Sequence, residues 1–425
     1  MMPRWRMLRS AGLWWAIPVI VACVAAACDV LPSAPDPEET LEGPIEELTS
    51  AQRARHFAGD AEFSRRFSVD EGIGPLFIAT ACEACHAADG KGHPLFNITR
   101  FGRSTGGVFD PMLSEGGAQL QNRAILNYVA ERVPDGATGI AVFTPPAVTG
   151  LGYLEAVDDT TLLALEDPTD ADGNGVSGRV QLIEAGGVVD QAAALGTDPI
   201  AQGARGTSIN GRYLARFGKK AGTVNLLHQV ITAYHQDMGL TSDLFPEDIV
   251  NVQVGGLATD DAPDPEIPSN VVQSVAFYLQ TLRAPPRRRA GDADVVAGEA
   301  AFAQIGCASC HMPALRTGRS SIAALDRVQF HPYTDLLLHD MGPELDDGFT
   351  EGSATTAEWR TAPLWGLGLA RAAQGGSMFL LHDGRATSIA DAIRLHGGEA
   401  SASRAAFEAL SPAAQQQLIK FLESL

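Results

Sequence analysis

Cysteine is scarce in this chain, and its placement excludes most of what cysteine does. Six occur in 425 residues, and Cys23 and Cys28 sit within the first thirty. The other four form two tight pairs, so no pair remains for a disulfide framework. Positive charge is also short. Lys and Arg number 31 against 51 Asp and Glu, a formal charge of −20, and the sequence holds no basic patch that would suit nucleic acid. Arg287, Arg288 and Arg289 form one short basic run that reads as a solvated linker. Aromatic residues make up 7% of the chain, and Trp359 and Trp365 are the only tryptophans after the first fifteen residues. Long apolar runs are missing except at 11–27, which contains Pro18 and falls short of the roughly 20 residues that a stable membrane span needs.

That single apolar run reads as part of an export signal. Arg4, Arg6 and Arg9 precede it and small residues end it. Ala25-Ala26-Ala27-Cys28 resembles the lipobox of bacterial lipoproteins, with Ile20-Val21-Ala22-Cys23 as a second match and ordinary cleavage as the alternative. We therefore expect a signal peptide over 1–27 and an acidic, Pro-rich tether over 28–65, which includes Pro32, Pro35, Pro37 and Pro44. Removing 1–27 deletes three arginines and no acid, taking the charge from −20 to −23. Such a polyanion is repelled by phospholipid head groups, so only lipid on Cys28 would hold it at a membrane, on the periplasmic side.

The two cysteine pairs share one pattern, Cys82-Glu83-Ala84-Cys85-His86 and Cys307-Ala308-Ser309-Cys310-His311. C-x-x-C-H is the signature of covalent haem attachment. Two thiols add to the haem vinyl groups, and the adjacent histidine offers its imidazole to the iron. A zinc site could use two such pairs, but 221 residues separate them and each carries its own histidine. A redox dithiol would need a βαβ setting that the sequence does not show. The expected cofactors are two covalently bound haem c groups, with His86 and His311 as iron ligands.

The surroundings repeat as well. Phe77 and Phe302 each stand five residues before the first cysteine of their motif, and residues 278–282 (YLQTL) and 421–425 (FLESL) each end an apolar-periodic helix. A helix entering the haem site and a terminal helix packed on it is the plan of cytochrome c domains, and repetition at this scale suggests duplication. Ala284-Pro285-Pro286 marks a break between halves. The expected architecture is mainly α, with two cytochrome c-like domains at 66–285 and 291–425 joined by long loops. A large Gly-, Pro- and Asp-rich insertion, about 92–270, lies in the first.

Longer strings carry a family resemblance. Residues 332–342 (PYTDLLLHDMG), 358–366 (EWRTAPLWG) and 382–400, which open with His382-Asp383-Gly384-Arg385, are the most specific; 82–94, 150–155, 167–179 and 237–242 add to them. With these the chain resembles the di-haem oxidoreductase family, a branch of the bacterial dihaem cytochrome c peroxidases and MauG-like proteins. The family usually carries an aromatic where Lys219 stands, so no aromatic role is carried over to that position.

The resemblance implies a distal ligand for the second haem fourteen residues beyond His382, which here is His396. An imidazole in place of the family's thioether should lower that haem's potential. For the first haem no distal ligand is evident. His93 is near in sequence. His228 and His235 share a face of a helix predicted over 224–238 on Leu227, Val230, Ile231 and Tyr234. His339 and His235 are the candidate catalytic residues, and the family's acid–base glutamate has no evident counterpart. Asp170-x-Asp172-x-Asn174-Gly175 has the oxygen-rich spacing of a calcium loop, although Gln181 stands where an EF-hand wants glutamate. Trp359 and Trp365 read as core, with hole transfer between haems as the alternative.

The expected activity is that of a periplasmic peroxidase-type oxidoreductase. Peroxide would be reduced at an open first haem, with electrons drawn from a small redox protein such as a basic cytochrome through a bis-histidine second haem. An electron-transfer cytochrome without turnover, or a MauG-like or rubber-oxygenase-like oxidation of an organic or protein substrate, are the alternatives.

Overall fold

Among the described residues five helices have twelve or more residues, and most are delimited by local chemistry. The computed structural model describes residues 41–194, 206, 208–256, 260 and 262–425. The expected signal peptide, Cys28 and the tether up to residue 40 lie outside them. Helix α1 is Ser50–Ser64, opened by a capping box in which Thr49 and Gln52 satisfy each other's backbone amides. Helix α2 is Leu226–Met238, capped by Asn225, whose side chain accepts from His228 N, and stopped by Gly239 in the left-handed region. It forms where the periodicity predicts it, and Leu227, Val230, Ile231 and Tyr234 are buried. Helix α3 is Ser269–Thr281, α4 is Ala293–Gln304 with Asp292 as its cap, and α5 is Pro412–Ser424 with Ser411 as its cap and Pro412 in its first turn.

These helices pair by close contact. Gly59 in α1 lies against Ser274 O of α3, and Gly298 in α4 against Gln417 O of α5; a Cβ at either glycine would collide with that carbonyl. Four residues after each glycine comes a buried phenylalanine, Phe63 or Phe302, which meets an aromatic of the partner helix. Phe63 packs on Tyr278 with ring centres 5.3 Å apart, and Phe302 on Phe421 at 5.2 Å. Each such ring contributes about 2–3 kcal/mol by burial.

This corrects two expectations. The counterpart of Phe302 is Phe63, not Phe77, which instead sits in the short strand Leu76–Phe77 paired with Arg123–Ala124. Residues 50–64 are likewise helix rather than tether. The reason is their fit: α1 buries His56, Gly59 and Phe63 against α3.

Helix outweighs strand, 37% to 14%, but the fold is not purely helical. The stretch expected as a loop-rich insertion carries an antiparallel sheet around β1, Ile98–Thr105, and β2, Gly139–Phe143, in register from Ile98 opposite Phe143 to Gly102 opposite Gly139. Val108–Asp110 and Ala118–Gln119 join the same sheet. Later in the chain β3, Leu338–Asp340, pairs with β4, Glu358–Arg360, and sets His339 opposite Trp359. Most of these strands are two to five residues long, too short to show the two-residue alternation by which strands are read from sequence.

The largest core draws on both sides of the Pro-rich break at 284–286, uniting Phe63, Ile231, Tyr234 and Val272 with Leu315, Phe330 and Trp365. A second holds Phe302, Phe407, Leu418 and Phe421. Trp359 belongs to a third cluster, with Phe143 and Phe349. No described helix is long and apolar enough to cross a membrane.

Candidate haem sites

Both C-x-x-C-H segments open on a short helical turn, Cys82–Cys85 and Cys307–Ser309, and both histidines are fixed in the same way. His86 Nδ1 donates to Pro146 O at 2.8 Å, and His311 Nδ1 donates to Tyr333 O at 3.0 Å. A carbonyl can only accept, so each proton resides on Nδ1 and each Nε2 keeps its lone pair. Burial holds both imidazoles neutral by pushing their pKa to about 4. A ring with one nitrogen anchored and the other free and unprotonated is suited to a metal. The four cysteines form no disulfide. Burial pushes Cys82, Cys85 and Cys307 to about 12, so as free thiols they would be poor nucleophiles at neutral pH. These features fit covalent haem and disfavour a redox dithiol.

Across the rings the two sites differ. The ring centre of His396 lies 6.4 Å from that of His311. A metal-bound imidazole holds its ring centre about 3 Å from the metal, so two ligands on opposite sides stand about 6 Å apart. His396 Nδ1 donates to Ala392 O at 2.7 Å, which leaves its Nε2 free as well. The helix Ile389–Arg394, capped by Ser388, delivers it. Each motif histidine has a phenylalanine beside it, Phe63 6.2 Å from His86 and Phe302 6.4 Å from His311; what marks the first motif is a carboxylate beside its cysteines. Asp237 lies near enough to raise the pKa of both Cys82 and Cys85. Its Oδ1 accepts from Gln119 Nε2 at 2.7 Å. Burial raises its own pKa, and the Gln119 hydrogen bond and the Arg100 charge oppose that only in part.

The sequence matches the model of the family described as "Di-haem oxidoreductase, putative peroxidase" over residues 34–105 and 132–425. The chain belongs to the di-haem oxidoreductase family. Two haems are thereby implied, and two histidine-bearing cysteine motifs are present to hold them. No curated protein matches the sequence. Among solved structures, hydrazine synthase of Kuenenia stuttgartiensis aligns over 100% of both chains at 13% identity with a TM-score of 0.37, a likeness too low to bear on fold or function.

Within this di-haem oxidoreductase the remaining predicted residues scatter. His339 stands beside the second motif, with Nδ1 3.7 Å from Cys310 Sγ. Its Nδ1 donates to Glu399 Oε2 at 2.8 Å and its Nε2 to Asp335 Oδ2 at 2.9 Å. With a carboxylate on each nitrogen the ring is an imidazolium. Burial opposes that charge, but the hydrogen bonds from Asp335, Cys310 and Glu399 overcome it and carry the pKa to about 12. His235 is engaged elsewhere, its Nε2 bonded to Glu247 O at 2.9 Å and its ring stacked on Phe245. His228 accepts from Val224 N at 3.4 Å, and His93 from Leu95 N at 3.1 Å.

In the calcium-like loop Asp170 accepts from Gly175 N at 3.0 Å, and Asp172 accepts from Asn174 N at 3.0 Å and Asn174 Nδ2 at 2.9 Å. The carboxylates that converge there are Asp167, Asp170 and Asp172, so Asn174 is replaced in that set by Asp167.

Two features are hard to read from the sequence. Asp237 occupies the last turn of α2, two residues from the helix stop, where an acid is unfavourable to the helix dipole; that mismatch is the one signal the sequence offers. The second is a stack. His382 lies flat on Trp359, ring centres 3.7 Å apart and planes 10° apart, and Lys220 Nζ sits 3.8 Å above the same indole. Lys220 also donates to Thr355 O, Thr356 O and Glu358 O at 2.9–3.0 Å. This fixes β4 and the segment around His382 against each other.

Proposed function

We propose that this chain is an exported, peroxidase-type dihaem oxidoreductase. In this reading peroxide is reduced at the haem on Cys82, Cys85 and His86, and electrons pass through the haem on Cys307, Cys310 and His311, with His396 as that iron's second ligand. The observation that carries the reading is the asymmetry between the two motifs. A second imidazole faces His311, whereas a half-buried carboxyl with a raised pKa accompanies the cysteines of the His86 motif.

Haem held at Cys82, Cys85 and His86 would supply the redox chemistry for cleaving a peroxide bond. The chain's own residues do the rest. Pro146 O orients His86 and fixes its tautomer. Gln119 holds Asp237 Oδ1, which leaves Oδ2 to carry and deliver a proton. Two electrons and two protons convert hydrogen peroxide to two waters, and the electrons come from a small basic redox protein drawn to the acidic surface. The leader over 1–27 directs export, and lipid on Cys28 tethers the chain on the periplasmic side.

Low-temperature EPR of the oxidised holoprotein tests this reading, together with carbon monoxide addition to the reduced form. One high-spin and one low-spin haem, with a Soret shift for one haem only, is the expected result. Two low-spin haems that ignore carbon monoxide would make the chain an electron-transfer cytochrome. Oxygen uptake with an organic substrate, and no peroxide turnover, would make it an oxygenase.

A further inference from the structure

Three cations converge beside the first motif, and their counter-charges are already engaged. Lys91, five residues after His86, extends Nζ to Leu381 O at 2.8 Å. Leu381 adjoins His382, which stacks on Trp359. Trp359 adjoins Arg360, whose backbone N–H donates to Lys219 O at 3.0 Å and whose Nε donates to Gly218 O at 2.9 Å. Lys91, Lys219 and Arg360 therefore lie on three segments bonded or stacked in series. The next residue after Lys91, Gly92, donates to Pro145 O at 2.9 Å, beside the Pro146 carbonyl that anchors His86.

Among the described residues the Lys219 ammonium has no hydrogen bond or ion pair. The acids within electrostatic range of this group, Asp383 and Asp335, are committed elsewhere. Asp383 Oδ2 pairs with Arg385 Nε at 2.5 Å, and Asp335 holds His339 and Leu337 N. Burial lowers all three cations: Lys219 well below the usual lysine range, with Lys91 and Arg360 adding to the effect, Lys91 to about 8 and Arg360 to about 10. Like charges half-buried together, with the nearby acids engaged elsewhere, suit an anion from outside the polypeptide.

We propose that Lys91, Lys219 and Arg360 form a clamp for the propionate carboxylates of the haem on Cys82, Cys85 and His86. This rests on the proposed function only in requiring a haem at that motif. A haem carries two carboxylates at one edge, and an Arg beside two Lys suits them, with a planar fork for one and point charges for both. Lys91 lies five residues after His86, and Gly92 next to it is bonded to Pro145, whose neighbour Pro146 anchors the His86 ring, which places the clamp at this haem. A positive charge near the porphyrin favours the reduced iron, so the clamp raises the potential of the first haem relative to an unclamped one.

The test is spectroelectrochemical titration of purified holoprotein, following the carbon monoxide-reactive haem in wild type, Lys219→Met, Lys219→Arg and Lys91→Met. The clamp predicts a lower midpoint potential for that haem in both Met variants, recovery in Lys219→Arg, and unchanged spin states by EPR. Lys91→Met keeps the test decisive if Lys219→Met fails to fold. Unaltered potentials in the Met variants would overturn the clamp. A new spin state in Lys219→Met would overturn it by assigning Lys219 to the iron, and a saturable shift of the wild-type spectrum with added acetate would assign the cations to a free carboxylate. A pyridine haemochrome count of fewer than two haems per chain would bring down the dihaem reading itself, separately from the clamp.

Discussion

At Cys82–His86 and at Cys307–His311 the chain uses the same three supports. A helix with glycine and phenylalanine four residues apart crosses a second helix, that phenylalanine leans on the proximal histidine, and a backbone carbonyl takes the histidine's Nδ1 proton. Phe63 is 6.2 Å from His86 and Phe302 is 6.4 Å from His311. What differs is the company each motif keeps: His396 faces His311 at one site, and the Asp237–Gln119 pair lies beside Cys82 and Cys85 at the other. The scaffold that holds a cofactor and the groups that set its chemistry are separate parts of the fold, so a repeated scaffold can serve two different roles.

Replacing His396 with Ala should break this contrast most. The second haem should lose its low-spin EPR signal and bind carbon monoxide, making two reactive haems instead of one; an unchanged low-spin signal would remove His396 from the iron. Asp237→Asn should act on the first site alone, lowering kcat/KM for peroxide by about 10²–10⁴-fold while leaving carbon monoxide binding intact. Equal activity in the variant would assign proton delivery to another group.

The Glu399–His339–Asp335 cluster belongs to the second site only and gives it a pH signature. Glu399 donates no proton here; it accepts from His339, Ser177 and the backbone of Asp340. Burial would raise its pKa, but these bonds, His339 foremost, bring it down from 4.5 to about 2. A depressed carboxyl stabilises the fold above its unfolded pKa, so this contribution is present above pH 4.5 and lost as pH falls toward 2. His339 is raised from 6.5 to about 12, so its contribution is present below pH 6.5 and lost as pH rises toward 12. Glu399→Gln should cost about 3–5 kcal/mol in denaturant titrations near pH 6 and flatten the acid limb of the stability curve. A variant that kept a wild-type acid limb would show the cluster to be energetically silent.

The smallest effect tests the likeness rather than the difference. Gly59→Ala and Gly298→Ala each place a methyl against a carbonyl, and each should cost about 1–3 kcal/mol, by thermal unfolding. Similar losses at both positions are expected from equivalent crossings; a loss at one alone would mean that the two helix pairs carry unequal loads.

Much of the scaffold is legible in the order of residues. The α2 helix follows from Leu227, Val230, Ile231 and Tyr234 at helical spacing, and the aromatic partners Tyr278 and Phe421 from the repeated YLQTL and FLESL endings. The G-D-A-E-F run at 59–63 and G-E-A-A-F at 298–302 also repeat. The first is obscured because 18 residues separate Phe63 from Cys82, whereas four separate Phe302 from Cys307. Distance to the motif is the wrong guide, and the small residue at the helix crossing is the right one.

The sequence by itself determined where two sulfurs and an imidazole gather, since C-x-x-C-H places them within a few residues of one another whatever the remainder of the chain does. It also determined helices such as α2, whose cap and periodicity are local, but not α1, which packing against α3 revealed. Tertiary structure decided which distant groups stand beside each motif. His396 meets His311 across 84 intervening residues, Asp237 reaches the first motif from the end of α2, and Lys91, Lys219 and Arg360 gather from three distant segments. Contacts of that kind leave no periodic trace, because long-range packing fixes them one pair at a time.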